Sequence, residues 1–360
     1  MKAIPFDYSG EYMIYGEQAV INDQHDELDN EIGEGKMKGL ILHLQRFSID
    51  DGPGIRTTVF FKGCPLQCQW CQNPESILNK PQVQWLENRC IGCRTCIEAC
   101  CDGCLTMREK VIMIDRHCCT GCGTCARACP AGAMDLLGTH ISVDELFNEV
   151  IKDRAFFEKS GGGVTVSGGE PTMQPDFIAS FFHYMNEAGI NTALDTCGLC
   201  SVKNLKKILP HTDIVLYDLK EIDPDKHYEF TGQDNQRIFD NLLFIRDHIM
   251  EMKPGTKLWI RTPLIPGTTA TSENLTGIGT FLALNLAGTI QRWELCAFNN
   301  LCRDKYRRLG IEWRFHDTPL ITERILHELE ECAKRSGVDP DIVLATGATR
   351  MESNHGDDRS

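Results

Sequence analysis

The chain has 360 residues, of which 42% are hydrophobic, 24% are charged and 19 are cysteines, and it carries a net charge of −14. That is enough for one large α/β domain plus a small satellite module, and it excludes wholesale disorder. The acidic balance argues against a nucleic-acid partner, no apolar run reaches the ~20 residues of a membrane span, and no basic-then-apolar start reads as a secretion signal. A cytoplasmic protein is therefore expected, in which the cysteines are metal ligands rather than disulfides.

Residues 1–37 come first. The opening 36 residues hold nine acidic side chains against Lys2 and Lys36, with little apolar periodicity, and are expected to be a flexible or loosely docked extension. Met37 opens a stretch that reads like an ordinary protein start. A β-rich run, Thr57–Lys62, then leads into Cys64-x3-Cys68-x2-Cys71. Three thiolates can hold a cubane cluster and leave one iron open to a ligand that is not protein.

Next come two complete runs, Cys90-x2-Cys93-x2-Cys96-x3-Cys100 and Cys119-x2-Cys122-x2-Cys125-x3-Cys129-Pro130. In such a run a tight loop aims three thiolates at one cubane while the fourth lies on a following turn; paired zinc sites are the alternative and favour two separated C-x2-C pairs. Cys101, Cys104 and Cys118 are surplus, and the adjacent pairs Cys100/Cys101 and Cys118/Cys119 leave the register open. The five dispersed cysteines, Cys197, Cys200, Cys296, Cys302 and Cys332, are expected to be small buried hydrophobes.

Beyond the cysteine runs, Ser142-Val-Asp-Glu145 predicts a capping box opening an amphipathic helix. Further helices are predicted at about 174–189, 201–209, 236–251 and 272–285, alternating with strands at Gly163–Val166, Asn191–Asp195, Asp213–Tyr217, Lys257–Thr262 and Ile290–Phe298. Six β/α units in succession predict a parallel sheet. Polar motifs stand at each strand end: Cys64, Ser167-Gly168-Gly169-Glu170-Pro171, Asp195-Thr196-Cys197-Gly198, Asp218-Leu219-Lys220, Arg261-Thr262-Pro263 and Asn299-Asn300. In parallel β/α units these ends open on one rim, where active sites are built.

The two cysteine runs resemble the bacterial two-cluster ferredoxin, which implies one [4Fe-4S] cluster on Cys90, Cys93, Cys96 and Cys129 and another on Cys119, Cys122, Cys125 and Cys100. The three-cysteine loop resembles that of the radical S-adenosylmethionine (SAM) enzymes. Upstream of it, Gly52, Gly54, Arg56, Phe60, Gly63 and Cys64 match the signature of the glycyl-radical-enzyme activating enzymes, the group of pyruvate formate-lyase activase. That resemblance covers residues 38–345. It implies an α/β fold: a partial (β/α)6 TIM-like barrel (38–80 and 138–345) with an inserted ferredoxin-like domain (81–137), flanked by the acidic extension and a tail (346–360).

The resemblance also implies a monomer with three [4Fe-4S] clusters that binds SAM and accepts an electron from flavodoxin or ferredoxin. It would then cleave the sulfonium to a 5′-deoxyadenosyl radical, which abstracts hydrogen from a glycine of a partner glycyl radical enzyme. Trp70 matches the ring placed near the adenine. Gly168, Gly169 and Glu170 match the loop that approaches the SAM ammonium, and Lys220 and Asp218 match contacts to its carboxylate and ribose side. Asp195 and Thr196, with Asp218, match a monovalent-cation site, and Arg261 is a second candidate for the carboxylate. Asn299 stands where several relatives have a ribose-side His; it can hydrogen-bond but not titrate. Two rivals remain: another radical SAM enzyme with auxiliary clusters, acting on a small molecule or peptide, and an iron–sulfur electron carrier. The carrier leaves the three-cysteine loop and the strand-end motifs unexplained.

Overall fold

The computed structural model of the chain describes residues 34–351. The expectations for residues 1–33 and 352–360 lie outside the described residues. β1 (Lys38–Ser48) turns back into β2 (Arg56–Phe61), an antiparallel pair with two register breaks, and all six residues of β2 are buried. A satellite follows: β3 (Gln82–Trp85), α1 (Thr95–Glu98), β4 (Leu105–Arg108), β5 (Val111–Ile114), α2 (Thr124–Ala128) and β6 (Met134–Leu137). Within it β3 pairs with β6 and β4 with β5, both antiparallel, around Val83, Cys96, Leu105, Ile112, Cys125 and Met134. β7 (Thr139–Ser142) then returns the chain to β1.

The predicted capping box is present: the Ser142 hydroxyl accepts from the Glu145 amide while the Glu145 carboxylate accepts from the Ser142 amide. It opens α3 (Val143–Val150), followed by α4 (Arg154–Ser160), β8 (Gly163–Gly168), α5 (Pro175–Glu187), β9 (Asn191–Thr196), α6 (Val202–Ile208) and β10 (Ile214–Asp218). The chain continues through α7 (Pro224–Thr231), α8 (Gln236–Glu251), β11 (Lys257–Leu264), α9 (Ser272–Asn285), β12 (Ile290–Ala297), α10 (Arg303–Leu309), α11 (Glu323–Lys334) and β13 (Val343–Thr346).

These strands form one mixed sheet in the order β13-β12-β11-β10-β9-β8-β2-β1-β7. The six predicted strands lie side by side and parallel; β13 extends them, while β1 and β7 cap the other edge in antiparallel pairing. Side chains alternate across a strand, and here the alternation is chemical. Val59, Phe61, Val164, Val166 and Leu194 pack with Leu146, Phe177, Phe181 and Met185 of the helices. Val215, Tyr217, Leu258, Ile260, Trp293 and Leu295 pack with Leu242, Ile245, Leu275 and Ile278. The intervening positions, Thr58, Thr165, Ser167, Asp195, Asp218, Arg261 and Glu294, give the opposite face its polar residues.

Arg56, from the glycine-rich signature, is fully buried at the start of β2. It donates to Thr165 Oγ1 (2.6 Å), the Val164 carbonyl (2.6 Å) and Asn191 Oδ1 (3.0 Å), tying the N-terminal ends of β2, β8 and β9 together, at the end of the strands opposite the cysteine loop.

One expectation about the cysteines is corrected. Cys104 and Cys118 are joined in a disulfide, with Cα atoms 5.6 Å apart. They flank the β4–β5 hairpin, whose antiparallel pairing brings its two ends together, so topology overrides the compositional argument. Of the dispersed cysteines, Cys197, Cys200 and Cys302 are buried as expected, whereas Cys296 and Cys332 are only partly buried. Among the described residues no helix is long and apolar enough to cross a membrane.

Candidate functional site

The segment Gly63–Cys71 leaves β2 as an irregular loop whose amides are taken up by its surroundings. Gly63 N and Cys64 N donate to the carbonyls of Ser76 (2.7 Å) and Ile77 (3.0 Å), while Gln67 N and Gln69 N donate to those of Thr231 (2.8 Å) and Phe230 (3.0 Å) at the end of α7. So held, Cys64, Cys68 and Cys71 carry free thiols. Burial pushes the Cys64 thiol well above its ordinary value and Cys71 up to about 12, and the neighbouring thiols add to both shifts. Three mutually repelling, partly buried sulfurs are stable together as thiolates only around a positive centre.

The loop after β8 lies directly against this segment. Gly169 N donates to Phe61 O (3.0 Å) and Glu170 N to Gly63 O (2.7 Å). A side chain has no room here: a Cβ on Gly169 would stand 2.1 Å from Gly63 O, and Gly168 has φ +112 with its Cβ position 2.4 Å from Phe61 N. Glu170 is 1% exposed and its carboxylate is engaged by the protein. Oε1 accepts from Thr172 N (3.0 Å), Thr172 Oγ1 (2.6 Å) and Thr196 Oγ1 (2.7 Å), and Oε2 accepts from Cys197 N (2.8 Å). The carboxylate therefore locks the loop after β8 to the loop after β9.

Charges fill the rest of the rim. Lys220 Nζ donates to Asp218 Oδ2 at 2.5 Å, and both act electrostatically on Cys68. Asp195 accepts from Ser167 Oγ (2.6 Å) and pairs with Arg261 (3.4 Å), whose Nε faces Glu294 at 3.7 Å. Burial outweighs the pull of Arg261 and pushes the Asp195 carboxyl up to about 7. Trp70 is buried in an aromatic cluster with Phe230, Phe298, Tyr306, Trp313 and Phe315. Asn299 is partly buried; its Oδ1 accepts from Leu301 N (3.2 Å) and its carbonyl from Gln72 Nε2 (3.0 Å).

In the satellite the thiols group crosswise. Cys96 is raised by burial and then by Cys129, Cys90 and Cys93, and these four line one cavity with Trp85, Met107 and Met134. Cys125 is pushed up to about 11 by burial and by Cys100, Cys119 and Cys122. The last thiol of each run thus joins the first three of the other. Surplus Cys101 is exposed beside Cys122 and Asp102, the three ligand atoms lying within 4.8 Å of one another.

Sequence reasoning missed Lys305, Tyr306 and Trp313, which reach the cysteine loop from 233 to 244 positions away. Nothing in the local sequence marks them.

Residues 112–274 match the Radical SAM superfamily. The chain is 39% identical to the trans-4-hydroxy-L-proline dehydratase activating enzyme of Clostridioides difficile, over 85% of this chain and 99% of that protein. It is 38% identical to the (2S)-3-sulfopropanediol dehydratase activating enzyme of Klebsiella oxytoca, over 77% and 87% respectively. With the choline trimethylamine-lyase activating enzyme of Oleidesulfovibrio alaskensis it shares 36% identity over 83% and 96%. Identity at this level, sustained across nearly the whole length of these relatives, makes the chain a member of the glycyl-radical-enzyme activating enzymes of the radical SAM superfamily.

Proposed function

We propose that this chain installs a radical on a glycine of a partner glycyl radical enzyme, using SAM and a [4Fe-4S] cluster held by Cys64, Cys68 and Cys71. The observation that carries this reading is the convergence of three free, partly buried thiols at the strand-end rim, beside the polar residues Asp195, Asp218, Lys220 and Arg261. The donor set fits an iron–sulfur cluster, whose positive irons relieve the repulsion among the sulfurs. When bound, cluster and nucleotide together supply one-electron cleavage of a carbon–sulfur bond and the carbon radical that takes the glycine hydrogen.

Binding and orientation fall to the chain. Gly168 and Gly169 let backbone come close to a bound ammonium, and Glu170 fixes their loop. Lys220 offers a compact cation to a carboxylate, with Arg261 as the second such group. Asp218 serves the ribose side, or forms a monovalent-cation site with Asp195 and Thr196. Trp70 and its aromatic neighbours make an apolar wall suited to an adenine, and Asn299 can bond a hydroxyl.

On the same reading residues 81–137 are a ferredoxin-like insert with [4Fe-4S] clusters on Cys90/Cys93/Cys96/Cys129 and Cys119/Cys122/Cys125/Cys100. The insert interrupts a partial (β/α)6 barrel built from 38–80 and 138–345. The crosswise grouping of the thiols supports the first part, and the run of adjacent parallel β/α units supports the second. A thiol-rich composition favours the cytoplasm, and the family resemblance suggests a monomer that takes its electron from flavodoxin or ferredoxin. Anaerobic reconstitution with dithionite and SAM tests the core of the reading. Wild type should release 5′-deoxyadenosine and Cys68→Ala should not; a reconstituted wild type that releases none refutes it.

A further inference from the structure

Among the described residues, the three-cysteine loop has one backbone hydrogen bond of its own, from Cys71 N to Cys68 O at 3.0 Å. The orientation of its peptide groups is therefore set from outside. Much of that setting comes from one segment, the stretch after β12. Trp313 Nε1 donates to Gln69 O (3.1 Å) and Tyr306 Oη to Cys71 O (3.0 Å). Lys305 Nζ donates to Gln72 O (3.1 Å) and Asn73 Oδ1 (2.6 Å), and pairs with buried Glu75 at 2.8 Å. Tyr306 and Trp313 are buried and stacked, with ring centres 5.0 Å apart and planes 13° from parallel.

We propose that Lys305, Tyr306 and Trp313 are positioning residues for the Cys64–Cys71 loop. They hold the carbonyls of Gln69, Cys71 and Gln72, and so fix the direction in which Cys68 and Cys71 present their sulfurs. Lys305 also offsets the Glu75 carboxylate, which pushes the Cys71 thiol upward. The inference rests on the reading of that loop as a cluster site. Its physical basis is general: partners of the ligand residues set ligand orientation, and donors and cations nearby stabilise the more negative, reduced form. Removing them shifts the reduction potential of the site downward without removing a ligand.

The test uses the full chain, reconstituted anaerobically, and follows the electron paramagnetic resonance signal that changes on adding SAM. Tyr306→Phe keeps the stacked ring and loses only the hydroxyl; Lys305→Met loses the charge, and Lys305→Arg restores it. Arg307→Ala, on the exposed side of α10 where it pairs with Asp304, is the control. Tyr306→Phe and Lys305→Met should keep wild-type iron content; Tyr306→Phe should also keep the unfolding midpoint, while Lys305→Met lowers it because buried Glu75 loses its ion partner. Both should alter the SAM-responsive signal and lower its midpoint potential, Lys305→Met more strongly. With a weak reductant, 5′-deoxyadenosine formation should fall about tenfold in Lys305→Met and recover most of the way in Lys305→Arg. Wild-type signal and potential in both variants, or the same shift in Arg307→Ala, overturns the proposal. The wild-type signal reports on the cluster site and the differences among variants report on the clamp, so the two readings fail separately.

Discussion

Glu170→Gln changes one buried atom and touches no proposed ligand, yet the geometry makes it costly. The wild-type carboxylate takes three donors on Oε1 and one on Oε2. An amide of the same shape must turn its NH2 toward one set, and the cheaper choice faces Cys197 N, setting donor against donor. One buried amide is then left unpaired, at about 1–3 kcal/mol, and three charge-assisted bonds become neutral ones worth roughly 1 kcal/mol less each. Relief of the buried charge offsets part of this, so the net loss should be about 2–3 kcal/mol. Urea unfolding under anaerobic conditions measures it, with Thr196→Val and the double variant completing a cycle. Because Thr196 Oγ1 bonds the same carboxylate, the two losses should fall short of additive. SAM affinity should drop as the loops after β8 and β9 come apart. An unchanged unfolding midpoint for Glu170→Gln, or strict additivity, would show that the carboxylate does not lock the two loops.

Three further expectations follow from the same geometry. Gly169→Ala puts a methyl 2.1 Å from the Gly63 carbonyl, so it should displace the cysteine loop and lower the iron retained after reconstitution, whereas Gly189→Ala, at φ +71 with open space around its Cβ position, should cost about 1 kcal/mol of stability yet retain wild-type iron. Cys100→Ala should lose one cluster's worth of iron and sulfide while Cys101→Ala retains all, and the reverse result would mean that Cys101 is the ligand. His227 is held below its ordinary value of 6.5 mainly by burial. As pH falls below that value the unfolded chain gains a proton that the folded chain resists, so stability should decline. The decline between pH 7.5 and 5.5 should be smaller in His227→Gln, and identical slopes would exclude His227 as its source.

The parallel strands were legible because each carries a short apolar run that ends in a polar motif, and Ser142 with Glu145 announced α3 by spacing alone. β1 and β7 were not, because β1 breaks register against β2 and mixes buried with exposed positions, and the edge strand β7 has no buried residue to give an apolar signal. The rim could be read from motif positions, but its wiring could not. Glu170 is bound by side chains and amides from the loops after two different strands, and Arg56 sits at the far end of the strands from the cysteines beside which its motif is written. The disulfide was visible only as two surplus cysteines; which partner each takes depends on the β4–β5 hairpin. Lys305 and Tyr306 sit in an ordinary charged helix, and only the folded chain brings them to the cysteine loop.

That short helix has a second tenant. Arg116 of the satellite donates to the Val83 carbonyl (2.5 Å) and to the Arg308 carbonyl (3.1 Å), two positions along α10 from the tyrosine that reaches Cys71. Satellite and cysteine loop are thus fastened to one crossbeam. Excising residues 82–137 to make a minimal enzyme would free one end of that beam as well as discard eleven cysteines, so a trimmed version would need a replacement anchor for the Arg308 carbonyl before its behaviour could be compared with that of the whole protein.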